Sequence, residues 1–246
     1  MNRVEVFVLL AAFFLSHFAL AQSEPGRSYS RLNTFSVFTE YSNDSSHIVL
    51  GTADNRKLVA LGVSYSRRIL TSKFVEWQYG VEIRPLVLLR QPNVWSTVVI
   101  TFKNGNPPLT GVFSQPALRS CTSQTSQLSG GSFTITSTYI CGYRWAYAGG
   151  LSPLGQKVNF APHHRVQPFI AENAGFLVSP NDVPIDKSSR FNFAFEVGAG
   201  LELYRERGRS VAIEYCIHHL SNDYIGRYNP GVDSGVIKLT YSFSRR

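Results

Sequence analysis

The chain has 246 residues, enough for one domain with a full core or for one closed barrel. Its formal net charge is +8 and its pI about 9.5, which points to an anionic partner. No basic run is interleaved with aromatics in the manner of an RNA-binding motif, so nucleic acid is set aside in favour of lipid phosphates; no Cys/His spacing suggests zinc, and no cofactor is implied.

Residues 1–21 read as a secretory signal peptide. Arg3 gives a weakly positive start, 6–20 an apolar run interrupted by Ser16 and His17, and Ala19-Leu20-Ala21 a small-x-small cleavage site. A permanent membrane helix wants about 20 uninterrupted apolar residues. No comparable run follows, so membrane embedding must come from strands. Residues 22–246 are expected to form a single domain behind a polar lead, 22–31.

From there the chain breaks into segments of roughly ten residues with alternating polarity, the signature of a transmembrane barrel. The first lies near 32–41. The second sets Val59, Leu61, Val63 and Tyr65 against Gly62, Ser64 and Ser66. The third, 75–84, is clearest: Val75, Trp77, Tyr79, Val81 and Ile83 share one face, and Glu76, Gln78, Gly80, Glu82 and Arg84 the other. A long link follows, about 86–138, rich in Pro, Asn, Ser, Thr and Gly, and expected as an outer loop. Cys121 and Cys141 bracket its Ser/Thr-rich end and could pair after export, leaving Cys216 as a small packed residue. The fourth segment lies near 139–151. A link near 155–164, long for a periplasmic turn, carries His163 and His164, read as solvated. The fifth segment, 165–176, contains Pro168. The sixth alternates from Phe191 to Leu203, the seventh spans 211–221, and the last carries Ile237, Leu239, Tyr241 and Phe243 outward.

Eight strands make an antiparallel barrel too narrow for a channel, so its interior is filled by side chains. The inward set Glu76, Glu82, Arg84, Arg144, Glu196, Glu202, Glu214 and Lys238 is expected to pair internally. Tyr65, Trp77, Tyr215, Tyr241 and Phe243 suit aromatic belts at the membrane boundaries.

Along the seventh segment, odd positions Ile213, Tyr215 and Ile217 face lipid, and His219 and Ser221 continue that face, while His218 points inward. Polar groups facing hydrocarbon are costly unless paired; the plain alternative is two interfacial polar residues. A hairpin centred near Gly226 would set His219 opposite Asp233 and Ser221 opposite Gly231, within reach of a His–Asp hydrogen bond. Nucleophile, base and orienting carboxylate would then stand together, with Asn222, Asn229 and Gly231 as candidate oxyanion or substrate-binding positions and Ser234 off phase.

His219-Leu220-Ser221-Asn222, followed by Asn229-Pro230-Gly231-Val232-Asp233, resembles the PagL-type lipid A 3-O-deacylase family, as does Gly-Gly-Leu-Ser-Pro-Leu-Gly at 149–155. The resemblance implies an outer-membrane barrel esterase acting on lipopolysaccharide, with Ser221 as nucleophile, His219 as base and Asp233 as orienter. It implies Asn229 in the oxyanion hole. Departures are Asp233 in place of the family's Glu, Pro230, the terminal Arg245 and Arg246, and the large 86–138 insertion. A homodimer is left open. The competing readings are a non-enzymatic small barrel of the OmpA/OmpX type, structural or adhesive through its long loop, and a soluble β-sandwich.

Overall fold

A computed structural model describes residues 28–45 and 47–244; the proposed signal peptide and the two terminal arginines lie outside the described residues. Side chains that alternate in polarity along a strand leave one face needing an apolar solvent and the other a polar interior, and closing the sheet on itself satisfies both. The chain does this with β1 (Asn33–Ser42), β2 (Lys57–Thr71), β3 (Val75–Phe102), β4 (Leu109–Pro116), β5 (Gln124–Ser129), β6 (Phe133–Phe160), β7 (Val166–Val183), β8 (Ser189–Glu206), β9 (Arg209–Ser221) and β10 (Val232–Phe243). Eight of these form a closed antiparallel ring, β1-β2-β3-β6-β7-β8-β9-β10, with β10 pairing back onto β1 from Phe35↔Phe243 to Tyr41↔Ile237. The fold is the eight-stranded barrel read from the sequence.

The long link does not form an irregular loop. β3 and β6 each run 28 residues and stay paired from Val75↔Phe160 to Phe102↔Phe133. Beyond the ring, β4 pairs with the free edge of β3 and β5 with that of β6. The result is a four-stranded sheet that projects about 30 Å past the rim, at roughly 3.3 Å per residue over 93–102. A disulfide between Cys121 and Cys141, with Cα atoms 5.6 Å apart, ties the approach to β5 onto β6. The expected 155–164 link is also strand for most of its length; β6 continues to Phe160 and leaves only 161–165 as the turn. Its Ser-Pro segment sits mid-strand, where the pairing with β7 shifts register between Leu151 and Leu154.

These bounds separate the rims. One has the short turns 72–74, 161–165 and 207–208; the other has 43–56, the projecting sheet, 184–188 and 222–231. Phe35, Tyr65, Tyr241 and Phe243 form an aromatic cluster on the outer surface near the short-turn rim, Phe35 and Tyr65 at 5.3 Å between centroids.

The interior divides into two halves. Toward the short turns it is ionic: the Arg84 guanidinium meets Glu40 and Glu82 at 2.9 Å and Glu196 at 2.5 Å, and Lys238 meets Glu82 at 2.7 Å. Lys157 and Asn159 hold Glu202 below them. Although Glu40, Glu82 and Glu196 converge, two cations already stand among them, so the cluster is an ion-pair network rather than a cation cage. Arg144, expected in this network, instead lies opposite Gln91 where the projecting sheet begins. Toward the long-loop rim the interior is apolar, with Leu58, Val87, Leu89, Leu177, Leu220 and Val232 packed together.

Candidate active site

Burial along β9 alternates without a break: Ile213 and Tyr215 stand exposed, Glu214, Cys216 and His218 are buried, and His219 and Ser221 are half-buried on the outer face at the long-loop rim. β10 lies antiparallel to it with His219 opposite Asp233. Opposed side chains on one face are about 5 Å apart at Cβ, a gap a short carboxylate can bridge. His219 Nδ1 and Asp233 Oδ1 are 2.5 Å apart. That bond fixes the ring and leaves Nε2 as the nitrogen turned to a substrate or nucleophile.

Asp233 shares the outward parity of Ile237 and Leu239, yet it is 0% exposed. Its cover is the 43–56 connection, which folds back over the start of β10. Thr52 N–H donates to Pro230 O at 2.7 Å and Ala53 N–H to Gly231 O at 3.2 Å. The four preceding amides converge on Asp233 Oδ2: Ile48 at 3.2 Å, Val49 at 2.6 Å, Leu50 at 2.9 Å and Gly51 at 2.8 Å. Such a concavity of backbone N–H groups favours a bound anion, and bonds to an ionised acceptor are the stronger kind.

Ser221 Oγ is held by Asn229, whose Nδ2 lies at 2.9 Å and Oδ1 at 3.1 Å. The backbone N–H of Asn222 donates to Asn229 Oδ1 at 3.0 Å, which sets the amide's orientation and presents Nδ2 to the hydroxyl. The Asn222 side chain is buried and belongs to the hairpin: Nδ2 donates to Tyr228 O and Oδ1 accepts from Tyr224 N–H. It shapes the loop that carries Asn229. Gly231 has φ +64°, and a Cβ there would press on Gly51 and on His219 Cε1 at about 3.4 Å. Glycine takes this left-handed conformation without strain and leaves the loop and the ring their close approach.

The structure thus brings His219 to Asp233 and Ser221 to Asn229, with no hydrogen bond between Ser221 and His219. His163 and His164 lie at the opposite rim, and His218 and Ser234 face inward, buried. The amide donors of 48–51 were missed by sequence reasoning, because a backbone N–H leaves no mark on residue type.

A closed eight-stranded barrel of this kind is the architecture of an outer-membrane protein, and the serine, the histidine–carboxylate pair and the oriented amide on the outside of one rim make up its candidate hydrolase site. The profile of the lipid A 3-O-deacylase (PagL) family matches residues 119–243. The chain belongs to that family, which places it among lipid A deacylases of the outer membrane. No curated protein matches its sequence significantly. Among solved structures it is similar to the outer membrane enzyme PagL, with 12% identity, TM-score 0.48, and 85% of this chain and 99% of that one covered. It is also similar to Neisserial surface protein A (8%, TM-score 0.41, 87% and 98%) and to the outer membrane protein OprG from Pseudomonas aeruginosa (11%, TM-score 0.35, 88% and 98%).

Proposed function

We propose that the chain is a serine esterase that removes the 3-hydroxyacyl chain ester-linked at position 3 of lipid A, working in the outer leaflet. The reading rests on one observation above others: the His219–Asp233 bond is formed on the outward face of the wall, two residues from a serine on the same face.

In the first step Ser221 Oγ turns from Asn229 toward His219 Nε2 and attacks the ester carbonyl carbon while Nε2 takes its proton. Asp233 holds the imidazole in the receiving tautomer and offsets its charge. The tetrahedral oxyanion accepts from Asn229 Nδ2, already aimed at the serine. Collapse breaks the bond to the sugar oxygen, which takes the proton from His219, and water then hydrolyses the acyl-serine. Arg227, exposed on the same hairpin, is placed to meet a lipid phosphate.

The test is mass spectrometry of lipid A from cells expressing the wild type, Ser221→Ala or His219→Ala. Loss of one hydroxyacyl chain with the wild type alone is expected. Unchanged lipid A in all three overturns the reading and favours a surface role for the projecting sheet.

A further inference from the structure

Four consecutive amides meeting one carboxylate oxygen are unusual for a surface loop, and the side chains they carry are equally so. Ile48, Val49 and Leu50 are all exposed, Leu50 at 74%, and all apolar, on the rim where β9 and β10 present Ser221 and His219. A backbone N–H turned away from water must be satisfied within the protein. Here one atom satisfies four of them, while the other oxygen of the same carboxylate engages His219. The two tasks fix the carboxylate along both of its C–O directions.

We infer that residues 48–51 are a positioning element of the active site: their amides cradle Asp233 and hold its second oxygen aimed at His219. The inference rests on the reading of Asp233 as the orienting carboxylate. It assigns to this connection a role separate from simple loop closure. Gly51 is the point of closest approach. A Cβ there would meet the Asp233 backbone nitrogen at 2.5 Å and its Cγ at 2.9 Å, so any side chain drives the loop off the carboxylate. Arg56 anchors the same connection from its far end, donating to the carbonyls of Asp54, Leu118, Ala117 and Pro184. The cradle is therefore built on a fixed base.

The experiment uses the full chain refolded in detergent micelles with lipid A as substrate. It compares the wild type, Gly51→Ala, Leu50→Pro, Asp233→Asn and the two combinations with Asp233→Asn. Heat-modifiable electrophoretic mobility reports whether each barrel is closed; if Leu50→Pro fails to close, Gly51→Ala carries the test. Expected is a kcat lower by about tenfold or more in each loop variant with KM within about twofold, because misaimed catalytic groups cost rate before affinity. The downfield imidazole proton of His219 should weaken in the NMR spectrum of the same variants. In the Asp233→Asn background the loop changes should add less than about a further twofold loss, since the group they act through is gone. Equal losses in both backgrounds, or loop variants with wild-type kcat, overturn the cradle while leaving the triad intact. Wild-type activity in Asp233→Asn overturns the triad reading and the cradle with it.

Discussion

One position separates His218 from His219, and the pleat puts them on opposite sides of the barrel wall. His218 is buried with its Nε2 3.6 Å from Glu196, while His219 keeps 18% of its side chain exposed and bonds Asp233. The proposed mechanism therefore separates them sharply. His219→Ala should abolish turnover, whereas His218→Gln should leave kcat within about twofold and act on stability alone. Asp233→Asn keeps the shape but favours the wrong tautomer of His219, and should lower kcat by about 10⁴-fold. Asn229→Ala removes the amide that faces the serine and should cost about 10²–10³-fold, read as kcat with KM little changed. The parity of β9 and the pairing of residues 219 and 233 are legible in the sequence, because strand alternation and hairpin register follow from spacing alone. The separate roles of Asn222 and Asn229 are not. Both are asparagines in one hairpin, and only the fold shows that the first is buried in the turn while the second reaches Ser221.

At the scale of elements, the misread segment is 86–138. Its Ser, Thr, Pro and Gly content matches a loop, yet Thr and the intervening Val, Ile and Phe also suit a pleated surface, and β3 and β6 continue outward as a pair. Composition could not decide this, since the segment lacks the clean alternation of a lipid-facing strand once it leaves the wall. β5 is six residues, all exposed, on the edge of that sheet. The Cys121–Cys141 bond closes a separation of 20 residues, a constraint of about 3 kcal/mol on the unfolded chain. Changing both cysteines to serine should therefore expose the 117–132 region to chymotrypsin while the barrel stays heat-modifiable. Arg56 works at the opposite scale of exposure, fully buried where the 43–56 connection, the base of the projecting sheet and the 184–188 turn meet. Burial pushes its guanidinium down to about 10, against the pull of Asp54, so it remains charged at neutral pH. Arg56→Met takes a donor from four carbonyls, of which Leu118 O keeps the Asp54 N–H, and should loosen the long-loop rim enough to lower the unfolding midpoint in urea.

For the molecule as a whole, the interior explains why the candidate site lies on the outer face. Paired cations and glutamates line one half around a cavity of only about 80 Å³, an apolar cluster fills the other, and the lumen offers no passage for a lipid. Removing Arg84 leaves Lys238 as the one cation among three buried carboxylates, and Arg84→Met should destabilise the barrel by about 3–5 kcal/mol in denaturant titrations. The outer surface makes the complementary demand. Ile213 stands mid-strand in β9, half exposed, between Leu201 of β8 and Leu239 of β10, in a band that is apolar around the ring. In water an arginine there would be a harmless surface charge. In a bilayer near its midplane it should cost about 2–4 kcal/mol. Ile213→Arg should therefore lower folding stability in phospholipid vesicles by that amount, measured by tryptophan fluorescence during urea unfolding. A variant as stable as the wild type in vesicles would mean that this face does not meet hydrocarbon, and the serine beyond it would have no acyl chains within reach.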